Sequence, residues 1–256
     1  MDKVLVIVPF AFGDEGIGNR QAQMNDVRLG PDTVVDFRGV RAGPAFYDSY
    51  HDLALAEVSM FEAGRTAQEE GYRAVCVDTM SDSGVNALRS VLDIPVIGPG
   101  RASYLIALFL GSRFSVLTQW DGWMTLYKKG LQECGLEDKC ASIRSINVKP
   151  DPENLLGGKE EVVFPKLRDM GMRCIEEDGA EVICIGSTTM YQAVPYLREE
   201  LPVPVINPGP LSYKLAEMLV GLGLSHSRKA YRRPDVPKLD MLTAMMAAAA
   251  VSEADA

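Results

Sequence analysis

Two stretches of this chain end alike, and that likeness restricts the folds open to it more than any other feature. Val75-Cys-Val-Asp-Thr-Met-Ser-Asp-Ser-Gly84 and Val182-Ile-Cys-Ile-Gly-Ser-Thr-Thr-Met190 each begin as a short β-branched run and stop in a cluster of small hydroxyl or acidic residues. A strand buried on both faces reads this way where it delivers polar groups to a site. The flanks repeat as well. Fifteen residues after Thr79 comes Ile94-Pro-Val-Ile-Gly-Pro-Gly100, followed by Ser103, Tyr104 and Ala107. Sixteen after Ser187 comes Val203-Pro-Val-Ile-Asn-Pro-Gly209, followed by Ser212, Tyr213 and Ala216. A repeat this long, with matched strand ends, Pro-Gly turns and following helices, predicts two similar α/β lobes related by an internal pseudo-twofold, each with a mainly parallel, doubly wound sheet.

Taken in order, the strands are expected at Val4–Val8, Thr33–Phe37, Tyr72–Val77 and Ile94–Ile97, then at Phe114–Thr118, Cys140–Val148, Glu181–Ile185 and Val203–Ile206. Helical segments separate them: Tyr47–Glu70, Gly84–Leu92, Ser103–Leu110, Met124–Gly135, Val162–Asp178 and the stretch from Gly209 to Leu222. Pro150–Gly158 reads as a turn-rich linker, and Leu239–Ala256 as an end helix or a frayed tail. The first lobe is expected to comprise residues 1–100 and 210–256, the second residues 101–209, because the chain changes lobe at each Pro-Gly turn.

Composition narrows the function by exclusion. Over 256 residues the net charge is −9, and the densest basic cluster is Arg228-Lys229 with Arg232-Arg233. That leaves no basic stripe to neutralise phosphates, so no nucleic-acid partner is expected. Apolar runs are too short to span a membrane. Five cysteines without framework spacing, and an amino terminus that enters a strand at once, lead to the expectation of a reducing, cytoplasmic location. His51 and His226 stand far from cysteines or carboxylates at ligand spacing, so neither a metal nor an organic cofactor is expected. Gly13-Asp-Glu-Gly-Ile-Gly18 has the glycines of a nucleotide loop but lacks the Lys-Ser/Thr of a P-loop, which argues against nucleotide binding.

Ligands of such folds bind beyond the carboxyl ends of the strands. This places Thr79, Met80, Ser81 and Asp82 against Ser187, Thr188 and Thr189, with Pro9, Phe10 and Thr118 at two further strand ends. Asp82 is a possible acid or base, as is Asp78, although hydrogen bonding within the strand end is the alternative for Asp78. Cys76 and Cys184 lie three residues, roughly 10 Å, back along their strands and are expected in the core. Tyr47, Tyr50, Tyr191 and His51 are expected either to reach the cleft or to take core or rim places, and Trp120 and Trp123 share a loop that either covers the cleft or packs against the neighbouring lobe.

Several of these stretches resemble the aspartate/glutamate/hydantoin racemase superfamily, in particular its hydantoin and allantoin racemase branch. They are Asp82-Ser-Gly84 with Ile94-Pro-Val-Ile-Gly98; Gly179-Ala-Glu-Val-Ile-Cys-Ile-Gly186 with Met190; Gly43-Pro44; and Leu224-Ser-His-Ser227 with Tyr231 and Pro234. The resemblance implies a cofactor-independent racemase or isomerase acting beside a carbonyl or carboxylate of a small carboxylic acid, keto acid or cyclic imide, and a homo-oligomer. It also implies that Thr79 and Ser187 stand where the family's racemases carry a cysteine acid and a cysteine base. A thiol titrates within reach of neutrality, whereas an aliphatic hydroxyl needs a base beside it. The alternatives are therefore a lyase or decarboxylase with a hydroxyl oxyanion pocket, for which Ser81 would hold a carboxylate, and a protein that binds a small carboxylate without catalysis.

Overall fold

Two four-stranded parallel sheets, with the same strand order, make up the computed structural model, which describes residues 1–151 and 156–254. The first sheet contains β1 (Asp2–Val8), β2 (Thr33–Gly39), β3 (Ala74–Val77) and β4 (Val96–Ile97) in the order β2-β1-β3-β4. The second contains β5 (Phe114–Thr118), β6 (Cys140–Ser145), β7 (Val182–Ile185) and β8 (Val205–Ile206) in the order β6-β5-β7-β8. The central strands β1, β3, β5 and β7 are buried along nearly their whole lengths, which is why their sequences are continuous apolar runs rather than alternating ones.

Helices α1 (Asp14–Gln21), α2 (Tyr50–Gly64), α3 (Val85–Val91) and α4 (Pro99–Leu110) accompany the first sheet in the chain. Helices α5 (Met124–Cys134), α6 (Glu160–Glu176), α7 (Val194–Glu200) and α8 (Pro208–Gly221) accompany the second, and α9 (Leu239–Ala254) closes the described chain. Among the described residues no helix is long and apolar enough to cross a membrane. The expected linker at Pro150–Gly158 includes residues 152–155, which lie outside the described residues.

The helices that follow the two Pro-Gly turns change partners. α4 leaves β4 yet packs on β7, and α8 leaves β8 yet packs on β3; the two helices also pack on each other. Matching thiol contacts mark the exchange: Cys184 Sγ lies 3.7 Å from the Ser103 carbonyl on α4, and Cys76 Sγ lies 3.5 Å from the Ser212 carbonyl on α8. One core cluster consequently runs from Tyr47, Leu53 and Met80 through Tyr104 to Phe114, Trp123 and Tyr127, joining the second sheet to α2 and to the segment that follows β3.

Several expected boundaries move, α2 ending at Gly64 and β4 beginning at Val96 among them, and two of the shifts have a side-chain cause. α2 begins at Tyr50 instead of Tyr47 because Ser49 caps it. Its hydroxyl accepts from the Asp52 N–H, and the Asp52 carboxylate accepts in turn from the Ser49 N–H. Tyr47 is thereby left in the preceding loop. β6 stops at Ser145 instead of Val148, since the Ser145 hydroxyl accepts from the Asn147 N–H at 2.9 Å and Asn147 takes φ 49°.

Candidate functional site

In each sheet the chain order reverses between the two central strands, β1 and β3 in one and β5 and β7 in the other. Such a switch point opens a crevice at the strands' carboxyl ends. The two crevices meet in one small pocket that is partly open to solvent, at the place where such folds hold a ligand. Pro9 and Phe10 follow β1, Asp78, Thr79 and Met80 follow β3, and Gly186, Ser187, Thr188 and Thr189 follow β7; all of them line the pocket. Phe46, Tyr47, Trp123, Leu126, Tyr127 and Pro150 complete the wall, with Arg20 of α1.

Thr79 and Ser187 begin matching hydroxyl strings. Thr79 Oγ1 is 3.0 Å from Ser81 Oγ, which is 2.8 Å from Ser83 Oγ. Ser187 Oγ is 2.8 Å from Thr189 Oγ1 and accepts from the Thr189 N–H at 3.2 Å. Each first hydroxyl thus has its orientation fixed by the residue two positions on, an ST-turn arrangement.

Three expected contacts lie elsewhere. Ser81 and Asp82 line a separate polar cavity beside Glu57, Arg89 and Arg101. The Asp82 carboxylate accepts from the Gly100 and Arg101 N–H groups, both at 2.8 Å, at the start of α4, where the helix dipole favours an anion. Burial nevertheless raises Asp82 to about 6, the two backbone donors opposing it. Thr118 is fully buried. Tyr127 stands between it and the pocket, its hydroxyl 2.6 Å from Thr118 Oγ1 and donating to the Gly186 carbonyl at 2.6 Å.

Of the pocket's charged pair, Asp78 was a candidate acid or base from sequence, whereas Arg20 was not singled out. Arg20 and Asp78 are both inaccessible to solvent, with Arg20 Nη1 3.1 Å from Asp78 Oδ2. Arg20 Nη1 also donates to Thr188 Oγ1 at 3.3 Å, and Thr188 Oγ1 donates to the Asp78 carbonyl at 3.1 Å, so the pair ties the two sheets together. The Gln23 amide donates to the other Asp78 oxygen. Burial pushes the Asp78 carboxyl up, against the pull of the Arg20 guanidinium and the Gln23 amide. A carboxylate expected in a strand end was the available signal, because a buried Asp requires a cation or donors from elsewhere in the chain.

Of the residues expected either to reach the cleft or to pack beside it, Tyr47 lines the pocket. Its ring meets Phe10 edge-on at 5.6 Å and its hydroxyl donates to the Pro9 carbonyl at 3.4 Å. Tyr191 donates to the Asn19 carbonyl, and Tyr50 and His51 are exposed. Trp123 lines the pocket, while Trp120 packs edge-on against it and against Phe46. No thiol lines the pocket. Cys76 and Cys184 are fully buried, and burial raises all five cysteines above the ordinary thiol range.

The model of the Asp/Glu/Hydantoin racemase family matches residues 19–216. A hydantoin racemase of Pseudomonas sp. (strain NS671) is 32% identical over 207 residues, covering 80% of this chain and 81% of its own. Among solved structures, an allantoin racemase from Klebsiella pneumoniae superposes with a TM-score of 0.83 at 27% identity, covering 93% of this chain and 95% of its own. Arylmalonate decarboxylase, at 21% identity and a TM-score of 0.57 over 90% of this chain and 97% of its own, shares the fold. With its repeated switch points, its shared pocket and a family match over most of its length, the chain belongs to the Asp/Glu/hydantoin racemase family.

Proposed function

We propose that this chain is a cofactor-independent enzyme of the isomerase type, exchanging a proton at the carbon beside a carbonyl of a small hydantoin-like ring or acid. One observation carries the reading: β3 and β7, equivalent strands of the repeat, each deliver an oriented hydroxyl, Thr79 and Ser187, into one pocket. In this reading the two residues stand where the family's racemases hold their cysteines. As hydroxyls they donate to the oxygen on which negative charge collects when the carbon loses its proton, the role of an oxyanion hole. Of the two carboxylates considered as acid or base, Asp78 lines the pocket and Asp82 does not. Asp78 therefore takes the proton-transfer role, its burial moving it toward the range where a base works at neutral pH.

The hydantoin racemase and allantoin racemase similarities support a cyclic ureide as the ring. The lobe division at residues 100 and 210 belongs to the same reading, supported by the exchange of α4 and α8 between sheets. Exposed Leu105 and Phe109 on α4, with Met218 on α8 and Leu222 just beyond it, support a homo-oligomer. Five free cysteines support a reducing, cytoplasmic location.

Proton NMR in deuterated water, with 5-substituted hydantoins and a protein-free blank, tests the reading. The expected result is loss of the ring-carbon proton signal faster than in the blank, with Thr79→Ala and Ser187→Ala each slowing it by about 10²–10³. Binding without any exchange would replace the enzyme by a binding protein, and new product peaks would indicate a lyase.

A further inference from the structure

Arg20 spends only part of its hydrogen-bonding capacity on the protein. A guanidinium carries five N–H donors in a fixed planar fork. Here Nη1 alone is engaged, by Asp78 Oδ2 and Thr188 Oγ1. The group is locked in place, with Cζ 5.6 Å from the Phe10 ring centroid and 5.8 Å from that of Phe12. Nε and Nη2 are buried and have no partner, although Arg20 lines the pocket. Those two nitrogens share one edge of the guanidinium. Their N–H bonds run parallel, which matches the two oxygens of a carboxylate, and the charge favours an anion there over a neutral carbonyl.

Buried donors without partners are rare in native proteins and mark a place that something else fills. The rest of the pocket specifies what. Phe10, Phe46, Met80 and Trp123 form an apolar wall, with Thr79 and Ser187 supplying hydroxyls. We propose that the ligand of this pocket carries a carboxylate, which docks on the Nε–Nη2 edge of Arg20 while its flat or apolar body lies against the aromatic wall. This rests on reading the pocket as the substrate site and adds the substrate's charge: a hydantoin with a carboxyalkyl arm fits, and one with a neutral arm gives the edge no counter-charge.

Calorimetric titration of the full chain tests it with two matched acid and amide pairs, hydantoin-5-acetic acid with its primary amide, and benzoate with benzamide. In each pair the acid should bind about ten-fold more tightly or better, as expected for a charge-assisted fork over neutral contacts. Arg20→Lys keeps a cation beside Asp78 but loses the fork. The double variant Arg20→Met with Asp78→Asn removes both charges, so that no lone buried ion threatens folding. The acid preference should fall below about three-fold in either variant that retains the native circular dichroism spectrum. Equal binding of acid and amide by the unaltered protein, or a preference that persists in both variants, overturns the proposal. An acid preference with no proton exchange on any hydantoin upholds it while removing the racemase reading. Exchange on neutral hydantoins with no acid preference does the reverse.

Discussion

The strand ends at Asp78-Thr79 and Gly186-Ser187 occupy the same place in two copies of one unit, yet they solve it with opposite chemistry. Each anchors its first residue to a central strand in the same way, Asp78 N–H donating to the Ile7 carbonyl and Gly186 N–H to the Leu117 carbonyl, both at 2.8 Å. Each then presents a hydroxyl. One position earlier they diverge. Asp78 brings a buried charge that calls for Arg20 and Gln23, whereas Gly186 has no side chain, and the space a Cβ would need is taken by the Tyr127 hydroxyl and Thr118, both 2.9 Å away at their nearest. The repeat therefore builds a symmetric frame around an asymmetric site, ionic on the β3 side and neutral on the β7 side. A racemase frame must reach both faces of a carbon, but only one end of the substrate needs to be held by charge.

The sharpest way to break this contrast is to remove its charged half. Asp78→Ala leaves Arg20 buried without an anion and should lower unfolding stability by about 3–5 kcal/mol, read as a shift in the urea midpoint. A loss below about 1 kcal/mol would mean that the pair is not as dry as its burial indicates. Next come the hydroxyls that the two halves share. Thr79→Ala and Ser187→Ala should each reduce kcat/KM by about 10²–10³, the cost of one lost oxyanion donor, with native circular dichroism retained. If one substitution is silent, the two strand ends do not act as a pair.

Giving the neutral half a side chain tests its role as a space for Tyr127. Gly186→Ala forces Tyr127 or Thr118 to move and should cost about 1–3 kcal/mol of stability by overpacking. Combined with Tyr127→Phe, which removes the obstructing oxygen, the loss should shrink, and an unchanged loss would assign the strain to Thr118 alone.

The smallest effect concerns Asp82 on the β3 side. Its carboxyl is raised from 3.8 to about 6 by burial. Between those values the folded protein holds a proton that the unfolded chain has released, so the contribution to stability is present below pH 3.8 and is lost as pH rises through 6. Asp82 lines an open cavity, and solvent screening reduces the expected amplitude to about 1 kcal/mol. Urea titrations from pH 4 to 7 should show this decline in the unaltered protein and a flatter curve for Asp82→Asn.

Much of the frame was legible because burial on both faces of a parallel strand leaves a mark within four or five consecutive residues. Val4–Val8 and Val182–Ile185 can be recognised without any partner in view, and so can the polar residues that end such runs. Pro9, Phe10, Met80, Thr188 and Thr189, singled out as strand-end residues, do line the pocket. The same reasoning placed Ser81, Asp82 and Thr118 there as well, and it failed for them because a strand end has two sides. Asp82 turns toward α4, Ser81 lines the neighbouring cavity, and Tyr127 closes over Thr118. Tyr47 falls in the expected helix because Gly43-Pro44 is the last turn signal before it; the Ser49 cap starts α2 at Tyr50 and leaves Tyr47 in the loop.

The sequence by itself determined the two-lobed α/β plan and the strand ends that meet, since both follow from local patterns that the chain writes twice. Tertiary structure alone decided which side of each strand end faces the ligand and what charge stands there. Arg20 and Asp78 are 58 residues apart, and neither carries a local sign of its partner. A buried ion is tolerated only where the whole fold brings its counter-ion within a few ångströms, and that is a property of packing rather than of any stretch of sequence.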